Sequence, residues 1–436
     1  MRRVLIVSPN FPPNDAVDMH RVRMTVGHYA DNGWEPVVLR VAPGDTGRPL
    51  NTDLLAGLPP GLEVVEVVAP QRRLASLAGL NATGLRAWSA LERAGRRLLE
   101  GRRFDLVFIS TTEFPAMALG RAWRDRYRVP FVLDFQDPWA TFPASAAAYM
   151  RRPLKHRLMR AIHRRLERWT VPAADGLMAV SRSYIDLLCA AYPALRDRPA
   201  AVSPFPYSAA DFIAANAYGK SLAGLRRTDG GHSCLYAGRI APAMEPSLRA
   251  CFALVAAGRA RCPEVFDRLW FVFVGTGYAA SDNPSVAMRL ARETGMADRV
   301  VEHPDRVSFL DAQKSMLVAD MLLVIGSDDD GYTPSKLNQT LFLPKPVLCA
   351  APRASGAARA VEGLATVPQV VVGEPVTDEL IDGLANQLKE LLSHRAQGVY
   401  EERESRTRPF EAVEAARRDC GLFDRVVERS GTARQT

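Results

Sequence analysis

The clearest chemical signal in the sequence is the segment Tyr332-Thr333-Pro334-Ser335-Lys336, which joins helix-capping residues to a cation. Thr333 suits the N-cap of a helix and Pro334 suits its first position. The backbone N–H groups of Ser335 and Lys336 would then point outward at the positive end of that helix, where the Lys336 ammonium adds a charge. The pattern predicts a phosphate-binding site. An ordinary capped surface helix explains the same residues.

A glycine turn is the second candidate. Residues 275–280 (Gly-Thr-Gly-Tyr-Ala-Ala) follow an apolar run and match the G-x-G-x-x-A pattern of dinucleotide sites, but Pro284 intervenes before any helix. We therefore expect a turn that lets a ligand approach the backbone. The acidic triplet 328–330 could hold a divalent cation, but such triplets in loops are commonly only solvated. We predict no metal site.

Two loops carry groups suited to proton and anion chemistry. Asp18, His20, Arg21 and Arg23 follow the first apolar run, and Asp137 follows a later one. In open parallel sheets, the loops at the carboxyl ends of the strands line the ligand crevice. His20 or Asp137 could therefore handle a proton and Arg23 could hold an anion. A capping aspartate and surface arginines are the structural alternative.

Residues 151–169 predict an amphipathic helix with a strongly basic face. They hold eight Arg or Lys and one Glu, and the apolar positions Leu154, Leu158, Ile162, Leu166 and Trp169 form a stripe. A helix packed on its own sheet would show this pattern, and so would a helix that docks on anionic lipid. Nucleic acid is not expected as a partner, because aromatic residues are not interleaved with the charges.

Apolar runs and helical patterns alternate along the whole chain, which indicates parallel sheets covered on both faces. Two such series predict two doubly wound α/β domains, with boundaries at 1–207 and from 232 onward, a linker at 208–231 and a tail at 431–436. The predicted strands are Val4–Val7, Val37–Leu39, Leu106–Ile109, Phe131–Leu133, Leu177–Val180, Leu235-Tyr236, Trp270–Val274, Met321–Ile325, Val347–Cys349 and Val370–Val372.

Composition narrows the class of protein. The 436 residues are 47% hydrophobic and 24% charged, which excludes a disordered chain or a disulfide scaffold. Six dispersed cysteines without a C-x-x-C pair indicate reduced thiols in a cytosolic protein. Residues 1–200 hold 29 basic and 19 acidic side chains, a net charge of +10, whereas the remainder holds 27 and 29, a net charge of −2. The net charge of +8 for the whole chain therefore comes from the first half, which favours an anionic partner. Signatures of serine hydrolases, zinc proteases and P-loop enzymes do not occur.

Several of these segments together resemble a known family. They are residues 129–139, 174–181, 236–239, 274–277, 319–324, 334–337 and 345–348, with the Phe-Pro-Pro turn at 11–13 followed by Arg21 and by residues 33–39. Their order and spacing are similar to those of the retaining GT-B glycosyltransferases of family four, whose C-terminal half is the glycosyl-transferases group one domain. The resemblance implies two Rossmann-like domains facing each other across a cleft. It also implies that a C-terminal helix at 406–430, after a second domain at 232–405, crosses back to the first.

The resemblance further implies the chemistry. The second domain would bind a nucleotide-diphosphate sugar, UDP- or GDP-linked, and the first a hydroxyl acceptor, with retention of configuration and no cofactor or metal. Arg239 and Lys336 would stabilise the leaving diphosphate, and Asp137 or His20 would orient or deprotonate the acceptor. The implied donor site comprises Gly238, Arg239, Gly275, Gly277, Ser335, Lys336 and Gln339. The expected acceptor site comprises Asp18, His20, Arg21, Arg23 and Asp137.

Three positions depart from the family pattern. Met244 stands for a lysine, Gln339 for a glutamate near the ribose and Gln136 for a histidine. They keep two alternatives open, a non-catalytic sugar-nucleotide binder and a GT-B sugar-nucleotide epimerase. With an active transferase, we expect synthesis of a bacterial cell-surface glycan or glycosylated metabolite in the cytoplasm. A lipid-linked acceptor would place the protein at the inner face of the membrane.

Overall fold

A computed structural model describes residues 1–70, 83–140, 154–277, 285–328, 334–393 and 400–432. The chain forms two compact units. The first comprises Met1–Pro206 together with Phe410–Thr436, and the second comprises Tyr207–Pro409. Each unit is built on its own parallel sheet.

The sheet of the first unit has seven strands. They are β1 (Arg2–Val7), β2 (Trp34–Val41), β3 (Glu63–Val67), β4 (Leu106–Ser110), β5 (Phe131–Phe135), β6 (Gly176–Ala179) and β7 (Ala200–Val202). Their order is β3-β2-β1-β4-β5-β6-β7, all parallel. Leu5 and Val7 pack into one buried cluster and Val4 and Ile6 into another, because alternate side chains of a strand face opposite sides of the sheet.

Helices cover both faces of this sheet. Those among the described residues are α1 (His20–Thr25), α2 (Thr83–Arg86), α3 (Trp88–Gly101), α4 (Ala118–Tyr127), α5 (Leu154–Thr170), α6 (Arg182–Ala191) and, from the end of the chain, Ala412–Thr432. The helix Ala412–Thr432 places Phe423 in the same buried cluster as Val4 and Ile6. The last helix of the chain therefore completes the core of the first unit.

The second unit has a six-stranded parallel sheet. Its strands are β8 (His232–Ala237), β9 (Leu269–Val274), β10 (Val300–His303), β11 (Met321–Ile325), β12 (Val347–Ala351) and β13 (Gln369–Val371). Their order is β10-β9-β8-β11-β12-β13. The described helices are α7 (Ala209–Tyr218), α8 (Glu245–Arg261), α9 (Pro263–Phe266), α10 (Val286–Glu293), α11 (Phe309–Val318), α12 (Leu337–Phe342), α13 (Gly356–Val361), α14 (Asp378–Ser393) and α15 (Glu401–Thr407). The helix Ala412–Thr432 is α16.

Two features differ from the sequence prediction. Residues 208–231, expected as a linker, contain helix α7, because the Ser208 hydroxyl caps it by accepting from the Asp211 N–H and its alanines favour helix. The three strands β3, β7 and β10 were not predicted. All three lie at sheet edges and are partly exposed: β3 and β10 contain charged or polar residues, and the apolar run of β7 is only three residues long, so none shows the pattern of a buried strand.

Candidate active site

Each sheet has a topological switch point where a ligand crevice is expected. In the first unit the connections leave β1 toward β2 on one side and β4 on the other, and in the second unit β8 and β11 occupy the equivalent positions. Loops after these strands therefore diverge and leave room between them. Asp18 and His20 follow β1, while Gly238 and Arg239 follow β8 and the segment 334–336 follows β11.

Asp18 is a structural residue. Its side chain is 3% exposed, and its carboxylate accepts hydrogen bonds from Asn10 Nδ2 at 3.1 Å, Thr111 Oγ1 at 2.9 Å and the Thr112 N–H at 3.1 Å. These donors lie in the loops after β1 and β4. Asp18 thus joins the loops on the two sides of the switch point, and its burial leaves little surface for the acceptor contact expected from the sequence.

Arg21 is also engaged within the protein. Its side chain is fully buried, its Nε lies 2.7 Å from Asp134 Oδ2, and its Nη1 donates to Ser203 Oγ at 2.8 Å. Ser203 Oγ donates in turn to Asp419 Oδ1 at 3.0 Å. Arg21 therefore links α1 to β5 and α16, and its side chain has no exposed surface in this structure for the acceptor contact expected from the sequence. A buried charge is retained where it is paired and hydrogen-bonded.

Gln136 belongs to the same network. The two N–H bonds of its Nε2 are shared among three acceptors: the Asp18 carbonyl at 2.9 Å, Ser110 Oγ at 3.0 Å and Asp134 Oδ2 at 2.9 Å. Ser110 Oγ donates to the same Asp134 oxygen at 2.7 Å. Gln136, which stands at the position of the family's histidine, therefore connects the loop after β5 to the loop after β1.

Burial controls the electrostatics of this network. Asp419 is completely buried, and its desolvation raises the pKa of its carboxyl to about 6, against the lowering influence of Arg21. Tyr29 Oη lies 3.4 Å from Asp419 Oδ2, and burial likewise raises the pKa of Tyr29 well above its usual value. Sequence reasoning did not identify Asp419 or Ser203. A charged residue within the apolar strand Phe131–Phe135 was a signal for Asp134.

The remaining expected acceptor residues differ in accessibility. His20, at the start of α1, is half-buried, and Asp137, just beyond β5, is exposed. Arg23 is buried on the inner side of α1, with 3% exposure. His20 and Asp137 are thus the two expected groups of the first unit that retain surface for a substrate.

In the second unit, the turn after β8 presents Arg239. Gly238 has a φ of +155° and its N–H donates to the Val274 carbonyl at 2.9 Å, while the Tyr236 hydroxyl donates to the Arg239 carbonyl at 2.8 Å. These bonds hold the backbone of the turn. The Arg239 side chain is exposed at the carboxyl edge, where a cation can meet an anionic ligand.

The turn after β9 agrees with the expected glycine turn. Gly275 has a φ of +68°, and its N–H donates to the His303 carbonyl at 2.8 Å, while the Gly277 N–H donates to the Pro304 carbonyl at 3.0 Å. Among the described residues, no atom lies within 4 Å of the position that a Cβ at Gly275 would take. Glycine suits this position because its φ is left-handed.

The segment after β11 differs from the predicted helix start. Helix α12 begins at Leu337, and Lys336 occupies its N-cap position without a capping side-chain bond. Ser335 and Lys336 are half-buried in a turn closed by the Leu337 N–H donating to the Pro334 carbonyl at 3.0 Å. Thr333, the predicted cap, lies outside the described residues. Gln339 is on α12 and only 6% exposed.

Two other sequence candidates are less favourable as ligand groups. Met244 is 2% exposed and packs in the core beneath α8, so the family's lysine position faces inward here. Of the acidic triplet, Asp328 is exposed, and Asp329 and Asp330 lie outside the described residues. Within the described parts of the chain, no three His, Cys, Asp or Glu residues form a group suited to a metal ion.

The basic helix α5 exposes two residues of its predicted apolar stripe, while Ile162 and Leu166 are half-buried. Leu158 is 62% and Trp169 40% exposed, and they share a surface with Ala161, Arg164, Arg165 and Arg168. Helical geometry places these six residues within an arc of about 140°. Residues 151–153 lie outside the described chain. We call this surface the α5 outer face.

Comparison with known proteins defines the class. Residues 20–204 match a family model described as a glycosyl transferase 4-like domain. The matched residues lie in the first unit, and the match supports the resemblance to the GT-B glycosyltransferases of family four. A comparison with curated protein sequences finds no significant match.

Solved structures show the fold of the whole chain. Sucrose-phosphate synthase from Thermosynechococcus elongatus has a TM-score of 0.58 at 13% identity, covering 100% of this chain and 98% of that one. A trehalose-6-phosphate structure from E. coli bound with UDP-2-fluoro glucose has a TM-score of 0.62 at 12% identity, covering 97% and 99%. A Listeria monocytogenes protein assigned as a UDP-N-acetylglucosamine 2-epimerase has a TM-score of 0.52 at 12% identity, covering 95% and 93%. The predicted GT-B fold class is confirmed.

Proposed function

We propose that the protein transfers a sugar from a nucleotide-diphosphate sugar to an acceptor hydroxyl, with retention of configuration and without a metal ion. The observation that carries this proposal is the placement of Arg239 after β8 and of Lys336 after β11, the two strands that flank the switch point of the second unit. A similar fold holding UDP-2-fluoro glucose in the E. coli structure supports a nucleotide-sugar donor.

The chemistry follows from the charges. When the glycosidic bond to the nucleotide breaks, negative charge develops on the leaving diphosphate, and the Arg239 guanidinium and Lys336 ammonium stabilise it. The glycine turn after β9 allows the nucleotide to approach the backbone at Gly275. In the first unit, His20 or Asp137 orients the acceptor hydroxyl or takes its proton.

Two competing functions have specific support. The similarity to the Listeria epimerase and the inward position of Met244 favour a reaction without an acceptor, or binding without turnover. Product analysis with the donor alone identifies an epimerase, because an epimerase converts the donor sugar without an acceptor. Assays with donor and acceptor together separate the other two functions: a transferase forms product, and a non-catalytic binder forms none with any donor and acceptor pair.

The first experiment is a thermal-shift panel with UDP, GDP, ADP, CDP and dTDP, each with and without Mg²⁺. At a concentration about 100 times its dissociation constant, a nucleotide that binds the folded protein adds about 2.7 kcal/mol of stability. We expect a shift with one nucleotide, unchanged by Mg²⁺. A panel without any shift contradicts the transferase proposal.

We propose that the acceptor hydroxyl belongs to a lipid-linked molecule in an anionic membrane. The α5 outer face would contact that membrane. Arg164, Arg165 and Arg168 supply positive charge beside exposed Leu158 and Trp169. The acid of this helix, Glu167, is 1% exposed and accepts from the Tyr192 hydroxyl at 3.0 Å. Exposed Val17, Leu50 and Val68, in the loops after β1, β2 and β3, add apolar surface near the acceptor loops.

Vesicle flotation tests this contact. The double substitution Arg164→Glu with Arg168→Glu should abolish salt-sensitive binding to vesicles containing anionic lipid. The matched control changes two exposed arginines of α3, Arg93→Glu with Arg97→Glu, which alters net charge equally on another helix. Equal loss in both variants would mean that only net charge matters. No helix in the described portion of the chain is long and apolar enough to cross a bilayer.

A further inference from the structure

Glu302, in the edge strand β10, makes a pair of contacts that no sequence motif indicated. One oxygen of its carboxylate accepts a hydrogen bond from the Thr276 hydroxyl, and the other accepts one from the Ser285 hydroxyl. Thr276 is 8% exposed and Glu302 is half-buried. A single carboxylate therefore joins two points that are nine residues apart in the chain.

The Thr276 contact acts on the turn after β9. Thr276 stands between Gly275 and Gly277, whose N–H groups donate to the backbone carbonyls of His303 and Pro304. The backbone bonds attach the turn to the last residue of β10 and to the residue after it, and the bond from Thr276 adds a side-chain attachment to the same strand. The conformation of the turn thus depends on the neighbouring strand as well as on its glycines.

The Ser285 contact acts on the start of α10. Ser285 Oγ accepts from the Met288 N–H at 3.2 Å and so caps the helix. Its hydroxyl proton is then available for Glu302. A carboxylate close to a helix N-terminus is also favoured by the helix dipole. Glu302 in this way fixes the exit from β9 and the entry to α10 together.

From these contacts we infer that Glu302 is a positioning residue for donor binding. It acts through Thr276 by holding the Gly275–Gly277 turn in the shape that a nucleoside diphosphate contacts. The inference rests on the proposed function, because it assigns the turn to the donor site. A carboxylate suits the task, since both hydroxyls can donate to it at once, whereas a glutamine side chain offers one acceptor oxygen.

Titration calorimetry with the nucleoside diphosphate identified by the thermal-shift panel tests the inference. Glu302→Ala should raise the dissociation constant about ten-fold, the usual effect of losing a hydrogen bond to a charged group. Glu302→Gln should give a smaller increase. Thr276→Val should weaken binding similarly, and combining it with Glu302→Ala should add little, because both changes remove the same bond. In turnover assays, the donor KM should rise more than kcat falls.

The control is Glu293→Gln, which removes a carboxylate from the exposed side of α10, where Glu293 pairs with Arg249 and Arg289. It should bind nucleotide as the unchanged protein does. If Glu302→Ala lowers the melting temperature but binds nucleotide normally, Glu302 serves only the fold and the inference is overturned. If the unchanged protein binds no nucleoside diphosphate, the proposed function fails and the inference fails with it.

Discussion

The Nε atom of Arg21 lies 2.7 Å from Oδ2 of Asp134, and neither side chain has any exposed surface. This ion pair joins α1 to the carboxyl end of β5 inside the first unit. Through Ser203 it extends to Asp419 on α16, which lies 216 residues further along the chain. Helix α1, which begins at His20, and the loop that carries Asp137 are therefore attached to one buried polar network.

Removing one member of the pair should be costly. We expect Arg21→Met to lower the free energy of unfolding by about 3–5 kcal/mol, because Asp134 would remain buried without its cation. Urea denaturation measures the change. Arg182→Ala, which breaks an exposed pair with Asp186, should change stability by less than about 1 kcal/mol. Similar losses in both variants would show that the buried pair has no special role.

Asp419 should make stability depend on pH. Burial raises the pKa of its carboxyl in the folded protein to about 6, from 3.8. The folded state therefore binds the proton more tightly, so this contribution to stability is complete below about pH 4 and is lost as the pH rises through about 6.

The Asp419→Asn variant isolates that contribution. Unfolding free energies measured from about pH 4 to pH 7 should show the unchanged protein losing on the order of 3 kcal/mol relative to the variant. Parallel pH profiles for the two proteins would contradict the assignment.

Two helical glycines of the second unit should respond oppositely to alanine. A Cβ at Gly258 in α8 would lie 2.5 Å from the ring of Phe266, which is fully buried. Gly258→Ala should therefore destabilise by about 1–3 kcal/mol through overpacking. Gly383 in α14 has no atom within 4 Å of that position, so Gly383→Ala should stabilise by up to about 1 kcal/mol through helix propensity. Urea denaturation of both variants measures the contrast.

Arg239 should matter for the donor and little for folding. Its exposed guanidinium is expected to stabilise the diphosphate, so Arg239→Ala should lower kcat/KM for the sugar nucleotide by at least about ten-fold. The melting temperature should stay close to that of the unchanged protein. Arg249→Ala, which breaks an exposed pair with Glu293, is the control and should keep full activity. Wild-type kinetics in the Arg239 variant would remove it from the donor site.

Central strands could be predicted from the sequence, and most edge strands could not. Strands such as Leu106–Ser110 and Met321–Ile325 are buried at every position, and their apolar runs are visible without a structure. Of the four edge strands in the described residues, Glu63–Val67 and Val300–His303 mix polar with apolar residues, and Ala200–Val202 is only three residues long. Pairing with a neighbouring strand is what identifies these three.

Some residues of the candidate site could likewise be predicted from the sequence, and others could not. Glycine turns and cations that follow a strand are local patterns, and this is why Gly275 and Arg239 could be named from the sequence. The roles of Arg21 and Asp18 were expected at an acceptor because a charged residue in a loop is ordinarily solvated. Most hydrogen-bond partners of Arg21 and Asp18 are distant in the chain. These partners bury the two side chains, which then connect segments inside the first unit.

The sequence by itself determined the alternation of strands and helices, the two doubly wound units and the glycine and cationic loops, because these depend on periodicity and on residues adjacent in the chain. Tertiary structure alone decided which charges are buried, as with Asp134 and Asp419, and which partners meet, as with Glu302, Thr276 and Ser285. It also decided that Leu158 and Trp169 face outward. Burial and pairing between distant segments depend on how the strands are ordered, and no local pattern of residues encodes that order.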